Sequence, residues 1–311
     1  MPTLKELSKE QDLLTGGHRL CPGCGASIVV RQVLLAAPKP LVVTCATGCL
    51  EVATTIFPYT AWAMPWIHSA FENAAATCSG LESAYKSLGR QGRLPVDKKI
   101  YFIAFGGDGG TYDIGLQALS GAAERGHRML YVCYNNQAYM NTGIQRSSAT
   151  PKGGFTTTSP AGKVKPGKEQ TRKDLTEIMA AHNIPYVAQA VVGDWKDLTI
   201  KVQKAMSKDG PSFINVLAPC RLGWGCAPEN TIQIGKLSAE TCFWPLYEID
   251  EGVYKLTYKP KDKKPIVELL KGQDRFKHLF KKENERLLVE IQEEVDRKWK
   301  KLLFLCGEKA D

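Results

Sequence analysis

Ile100-Tyr-Phe-Ile-Ala-Phe-Gly-Gly-Asp-Gly-Gly110 is an apolar run that stops at a glycine-rich turn carrying one carboxylate; the next apolar run, Met129-Leu-Tyr-Val-Cys-Tyr134, stops at Asn135-Asn136. Short apolar runs bounded by turn residues read as buried strands. Between them, Tyr112 to Arg125 has helical spacing. The alternation continues outward in both directions. Upstream lie a helix over Ala26 to Ala37, with Ile28, Val29, Val33, Leu34 and Leu35 at helical spacing, the strand Leu41 to Cys45, and a helix over Ala70 to Leu88. Downstream come a helix over Lys173 to His182, the strand Tyr186 to Val191, a helix over Lys196 to Ser207 and the strand Ser212 to Leu217. The pattern predicts an α/β fold, a parallel sheet of at least five strands with helices on both faces.

After Gly223 the periodicity degrades into irregular segments. It returns as a charged helix over Phe280 to Leu303, with Leu287, Leu288, Ile291, Val295 and Trp299 along one stripe, expected to pack on the body or on a neighbour. The organisation expected is an N-terminal extension over 1–16, a main domain over 17–254 and a basic helical tail over 255–311. Of the net charge of +9, +5 lies in Lys255 to Asp311, which leaves a nearly balanced body and argues against nucleic acid as a partner. A content of 43% hydrophobic and 23% charged residues excludes a disordered or collagenous chain. Met1 to Thr15 has no basic segment followed by an apolar one, and no run is long and apolar enough for a bilayer. A cytoplasmic, non-membrane protein is the expectation. Ser147 to Lys168 is polar and long for a connection, a loop expected to be functional or ordered by a partner.

Gly106-Gly-Asp-Gly-Gly110 and Asn135-Asn136 both end strands, and the carboxyl ends of strands are where α/β sheets bind ligands. Glycines let backbone N–H groups approach phosphate oxygens, while an aspartate and an amide oxygen supply hard ligands to a bridging Mg²⁺. The helix that follows points its positive end at the anion. A metal-bridged diphosphate fits this chemistry; a bare turn is the alternative. The ten cysteines are too sparse for a disulfide scaffold, but Cys21-Pro-Gly-Cys24, Cys45-Ala-Thr-Gly-Cys49 and the Cys220/Cys226 pair have spacings that suggest metal or redox chemistry. Four thiolates drawn from these bind zinc or an iron–sulfur cluster, and spacing alone leaves the choice open. Cys78, Cys133, Cys242 and Cys306 are expected to be buried apolar residues.

Gly-Asp-Gly, a strand, and Asn-Asn at this interval resemble the thiamine diphosphate motif of decarboxylases, transketolases and 2-oxoacid oxidoreductases. The resemblance implies a thiamine diphosphate-binding fold, with the cofactor at Gly107, Asp108, Gly109 and Gly110. Mg²⁺ would then be held by Asp108, the Asn136 side chain and the Ala138 carbonyl. Cys21-Pro-Gly-Cys-Gly25, Thr47-Gly-Cys-Leu-Glu51, Gly107-Asp-Gly-Gly-Thr-Tyr-Asp-Ile-Gly115, Tyr139-Met-Asn-Thr-Gly-Ile-Gln-Arg146 and Pro219-Cys220 closely resemble the β subunit of pyruvate:ferredoxin oxidoreductase and its 2-oxoacid relatives. The likeness runs from about Gly17 to Tyr254.

That second resemblance implies a [4Fe–4S] cluster on Cys21, Cys24, Cys49 and Cys220, with Cys45 and Cys226 as non-ligands. It implies that the Asn141 amide reaches the thiazolium C2 and the substrate, and that Phe71 lies near the thiamine ring. It places the pyrimidine-activating glutamate on another subunit, so that this chain is half of an active site in a hetero-oligomer that passes electrons to ferredoxin, in an anaerobic host. His68, Glu72 and Arg146 fall in matching segments without an assigned role. The C-terminal helix, the stretch Ile56 to Trp66 and the Ser147 to Lys168 loop are candidate partner contacts.

Related pyruvate enzymes often read Tyr-Asp-Asn-Glu-Ala-Tyr where this chain has Tyr134-Asn-Asn-Gln-Ala-Tyr139. Two carboxylates have become amides beside the metal position, a change that would suit a more anionic substrate such as oxalate and argues for oxalate over pyruvate. Two other readings stand beside the oxidoreductase: a non-redox thiamine decarboxylase with structural cysteines, and a zinc-stabilised interaction subunit without catalysis.

Overall fold

The structure, a computed structural model, describes residues 3–94, 99–162 and 164–309. The outermost residues of the expected N-terminal extension and tail, and Lys163 of the polar loop, lie outside the described residues.

The elements run α1 (Leu4–Leu7), α2 (Gly25–Ala36), β1 (Leu41–Ala46), α3 (Cys49–Thr54), β2 (Trp66–Ser69), α4 (Ala74–Arg90), β3 (Tyr101–Gly107), α5 (Leu116–Glu124) and β4 (Leu130–Asn135). They continue with α6 (Leu175–Ala180), β5 (Tyr186–Val191), α7 (Trp195–Ser207), β6 (Ser212–Leu217), α8 (Arg221–Trp224), α9 (Thr231–Glu240), β7 (Tyr247–Asp250), β8 (Val253–Leu256), α10 (Ile266–Lys271) and α11 (Glu285–Leu305). One sheet of eight strands results, in the order β2-β1-β3-β4-β6-β5-β7-β8. Its first six strands in that order pair parallel, while β7 and β8 form an antiparallel hairpin on the β5 edge.

Alternation along the strands sorts their side chains into two cores. Phe102, Ala104, Tyr131, Cys133, Phe213 and Leu217 face one way, under α4, α5 and α6. Ile103, Phe105, Leu130, Val132, Ile214 and Val216 face the other, where Val29 and Val33 of α2 meet Leu198 and Val202 of α7. Helices therefore cover both faces, as the near-continuous apolar strands require. Among the described residues no helix is long and apolar enough to cross a membrane.

Three departures from the sequence reading have local causes. The helix expected from Tyr112 begins at Leu116, because Gly109–Ile114 forms a π turn in which Gly115 N donates to Gly110 O, five residues back, at 2.8 Å. The helix expected from Ala70 begins at Ala74, because Trp66–Ser69 is drawn into the sheet beside β1. The region after Gly223 is ordered, and the β7–β8 hairpin carries it. Its strands are four residues each and contain charges, one of which, Glu248, is buried and accepts from Tyr186 Oη at 2.7 Å.

The C-terminal segment belongs to the first core. Ile291, Val295, Trp299, Leu302 and Leu303 of α11 are buried in that core with Phe276, Leu279 and the apolar side of α10. Each such side chain contributes about 1.5–3 kcal/mol by leaving water. The apolar stripe of α11 is thus used within the chain, and β8 runs across Tyr254, where the tail was expected to begin. Cys78, Cys133 and Cys242 are buried as expected, but Cys306 is half-exposed at the end of α11.

Candidate active site

The chain moves from β1 to β2 on one side and then crosses to β3 on the other, so the strand order reverses at β1. The crevice rule for α/β sheets points to the carboxyl ends of β1, β3 and β4. Asp108 stands at the end of β3. Its Oδ1 accepts from the backbone N–H groups of Asn136 (3.2 Å) and Gln137 (3.1 Å), and its Oδ2 accepts from Ser147 Oγ at 2.5 Å. Burial pushes the Asp108 carboxyl up to about 7, against the opposing pull of Ser147 and the Asn136 amide. A carboxylate held in place and starved of water is one that a cation would relieve.

The Asn136 side chain supplies the second observation. One terminal atom of its amide lies 2.8 Å from Asp108 Oδ1 and 2.8 Å from Ala138 O. With the nitrogen turned there, it donates to both; with the oxygen turned there, three acceptor oxygens face one another, an arrangement satisfied by a hard cation. Asp108, Asn136 and the Ala138 carbonyl, the three ligands implied by resemblance, are thus brought together. The turn beside them is packed too tightly for side chains. A Cβ on Gly109 would lie 2.5 Å from the Tyr139 ring, and one on Gly110 would lie 2.9 Å from Phe71 O and 3.3 Å from the Phe71 ring. Phe71 and Tyr139, 5.7 Å apart, flank the glycines, and Tyr139 Oη donates to Asp113 at 2.9 Å.

The backing of this turn comes from the ends of the polar loop, from Gln137 and from Arg275, a residue the sequence did not single out. Ser147 lies at the start of the long polar loop, and Lys168 at its end is buried, donating to the carbonyls of Thr150 (2.5 Å), Ser148 (3.2 Å) and Ser147 (3.4 Å). Much of the loop therefore folds onto its own sheet. Gln137 is fully buried at φ 67, a left-handed conformation rare for a residue with a side chain. Thr150 Oγ1 donates to Gln137 O at 2.7 Å, and Arg275 Nη2 donates to its Oε1 at 2.7 Å. Arg275 comes from the tail, stacks on Trp224 at 3.8 Å, and has its pKa lowered by burial to about 9, so it remains a cation at neutral pH. Only Phe276, Leu279 and Phe280, scattered among polar and charged residues, hinted that this segment would be internal.

The cysteines arrive on three elements. Cys24 N donates to Cys21 O at 3.0 Å, closing a turn whose second cysteine caps α2. Cys49 opens α3 after β1, and Cys220 caps α8 with Gly223 N donating to its Sγ at 3.5 Å. Gly25 joins the first and last of these: its N–H donates to Pro219 O at 3.1 Å, and a Cβ there would lie 2.7 Å from Ala218 C. Burial raises the pKa of Cys24, Cys49 and Cys220, and the charges of neighbouring cysteines raise them further; Cys49 is pushed to about 12, with Cys220, Cys24 and Cys21 all contributing. Thiols this close resist ionisation together, which a metal offsets by displacing their protons. Among the described residues no three His, Cys, Asp or Glu side chains close on one point tightly enough for a single ion. A four-iron cluster takes its thiolates at the corners of a larger cage. Cys45 is fully buried in the second core, and Cys226 lies beside Cys220 and Arg275.

Asn141 stands at the exposed tip of a turn closed by pairing of Tyr139 with Gln145. His68 Nε2 lies 2.7 Å from Thr47 Oγ1 and 3.9 Å from Glu51, next to Cys49. Glu72 adjoins Gly115 through its backbone, and Arg146 N donates to Thr158 Oγ1 at 2.9 Å. In the stretch Ile56 to Trp66, Phe57 and Tyr59 point outward while Ala61 and Trp62 are buried. Asn135 and Gln137 are both buried, Asn135 donating to Tyr112 Oη at 2.8 Å, so neither amide lies open to substrate. A cavity of about 210 Å³ opens elsewhere, under α11, lined by Arg172, Phe243, Tyr247 and Leu302; none of the expected site residues borders it.

Residues 46–216 match the family described as thiamine pyrophosphate enzyme, C-terminal TPP binding domain, which sets the class. The chain is 54% identical over 306 residues to pyruvate synthase subunit PorB of Thermotoga maritima, covering 97% of this chain and 94% of that one. It is 56% identical over 292 residues to pyruvate synthase subunit PorB of Methanocaldococcus jannaschii, covering 94% and 97%. It is 43% identical over 293 residues to ketoisovalerate oxidoreductase subunit VorB of Pyrococcus abyssi, covering 94% and 93%. A solved 2-oxoglutarate:ferredoxin oxidoreductase from Magnetococcus marinus shares the fold, with a TM-score of 0.53 at 23% identity over 65% of this chain and 64% of that one. The chain belongs to the PorB family of 2-oxoacid:ferredoxin oxidoreductase subunits, enzymes that work as multi-subunit complexes.

Proposed function

We propose that this chain is the thiamine diphosphate- and [4Fe–4S]-binding β subunit of a pyruvate:ferredoxin oxidoreductase. The observation that carries the reading is the convergence of Asp108, Asn136 and the Ala138 carbonyl on one point at the sheet edge that also gathers the cysteines. Thiamine diphosphate would supply the electron sink for cleaving a 2-oxoacid, and the cluster a one-electron store. Asp108, Asn136 and Ala138 hold Mg²⁺; the backbone of Gly107, Gly109 and Gly110 lies against the diphosphate, with Phe71 beside it. Asn141, on its exposed tip, offers its amide to the reacting carbon. Cys21, Cys24, Cys49 and Cys220 hold the cluster, and Cys45 and Cys226 do not.

A partner subunit covers the open edge, supplies the pyrimidine-activating glutamate and meets Phe57 and Tyr59; ferredoxin takes the electrons. The setting is an anaerobic cytoplasm, without nucleic acid or membrane partners. Pyruvate is favoured over oxalate because the two amides that motivated oxalate are buried and bonded to Tyr112 and Arg275. The test is anaerobic purification of the native complex, analysis of iron, sulfide and thiamine, and low-temperature electron paramagnetic resonance before and after pyruvate or oxalate. Cluster reduction by pyruvate is expected. Reduction by oxalate alone overturns the substrate; thiamine without iron or sulfide makes it a non-redox decarboxylase; zinc without thiamine makes it an interaction subunit.

A further inference from the structure

We propose that Arg275 is a positioning residue joining the two poles of the site: it pins the turn that backs Asp108 and presents a fixed positive charge that favours the reduced state of a cluster on Cys220. For the cluster, this rests on the function proposed above. The guanidinium is 5% exposed and reaches both poles. Toward the metal position, Nη2 donates to Gln137 Oε1 at 2.7 Å, and Trp224, whose ring lies 3.8 Å beneath the guanidinium, donates from Nε1 to Asn136 O at 2.7 Å. Toward the cysteines, Trp224 ends the short helix that Cys220 caps, and Asp274 N donates to Gly225 O at 3.2 Å, tying the Arg275 turn to the backbone before Cys226.

The charge of Arg275 is not cancelled by its hydrogen-bond acceptors. Both are amide oxygens, the second being Gln273 Oε1 at 2.9 Å from Nε. A buried cation left in this state is costly, and the groups within its field that can take a negative charge are Cys226, Cys220 and Asp108, the cysteines only once a metal displaces their protons. Thiolate-bound iron supplies the missing negative charge. An electron entering the cluster adds one further negative charge, which a nearby fixed cation stabilises, so its effect is to raise the reduction potential. Gln137 depends on the same bond. It holds a left-handed backbone, its Nε2 is buried without a partner among the described residues, and Arg275 donates to its side-chain oxygen.

The experiment uses the anaerobically assembled complex and follows the paramagnetic signal that disappears in Cys220→Ser. Potentiometric titration of Arg275→Met is expected to lower the midpoint of that signal by about 60 mV, a tenfold fall in the reduced fraction at fixed potential for one electron. Arg275→Lys keeps the charge and loses the planar fork; it is expected to hold the midpoint while loosening thiamine diphosphate with Mg²⁺ by about fivefold. Should Arg275→Met fail to assemble, the neutral Arg275→Gln carries the same expectation for the midpoint. A neutral variant that retains the cluster with an unchanged midpoint overturns this inference and leaves the proposed function standing. Wild-type complex without iron and sulfide overturns both.

Discussion

The carboxylate pole and the cysteine pole share one sheet edge and are assembled in opposite ways. Asp108, Asn136 and Ala138 follow the ends of neighbouring strands, and the β3–β4 register, Gly107 beside Tyr134, brings them together. The cysteines come from segments about Cys21, Cys49 and Cys220, and one close backbone approach, Gly25 against Ala218 and Pro219, closes the first segment on the last. The first pole inherits its precision from a hydrogen-bonded ladder. The second depends on tight packing between distant parts of the chain, where a single added carbon is felt.

The largest expected effect breaks the first pole alone. Asp108→Asn keeps the shape and removes the charge; thiamine diphosphate with Mg²⁺ should bind the assembled enzyme at least about 100-fold more weakly, while iron content stays at the wild-type level. Titration of cofactor binding alongside iron analysis checks this, and a parallel loss of iron would mean that the poles do not assemble independently. Gly25→Val addresses the second pole. Overpacking against the backbone of Ala218 should cost about 1–3 kcal/mol and deplete iron, with cofactor affinity held within about threefold of wild type.

The smallest effect concerns the loop behind Asp108. Burial lowers the Lys168 pKa from 10.5 to about 8, so the folded chain releases this proton before the unfolded chain does. Below pH 8 the buried charge is a penalty; as pH rises from about 8 to 10.5 that penalty is relieved and the loop gains about 1 kcal/mol, solvent screening of the ammonium reducing what the full shift would give. Lys168→Met should lack this rise. Hydrogen exchange of the loop amides, corrected for intrinsic rates, would show it; identical pH profiles in wild type and variant would remove Lys168 from this role.

From Ala26 through Leu217 the order of helices and strands was legible except for α3 and β2, because the strands that were read are short apolar runs and the helices carry a stripe, whereas Trp66–Ser69 is short, half-exposed and contains a histidine. The β7–β8 hairpin was not, since its four-residue strands take their stability from the β5 edge rather than from their own pattern. The proposed metal ligands, Asp108, Asn136 and Ala138, were legible as a motif. Their support was not: Ser147, Lys168 and Arg275 are polar residues in irregular segments, and they are buried because their partners are carbonyls, amide oxygens and a carboxylate supplied from elsewhere in the chain. The tail, whose charge suggested an appendage, contributes the guanidinium of Arg275 that donates to Gln137.

By itself the sequence determined which residues can do chemistry and on which strand ends they fall, because period-two and period-3.6 patterns are local properties of the chain. Only the tertiary structure decided that Asp108 is buried and held at three points, that the cysteine segments meet, and that a cation from the last sixty residues lies against Gln137 and Trp224. Those outcomes depend on desolvation and on contacts between residues far apart in the chain, Gln137 with Arg275 at 138 positions and Gly25 with Pro219 at 194, which no window of sequence contains.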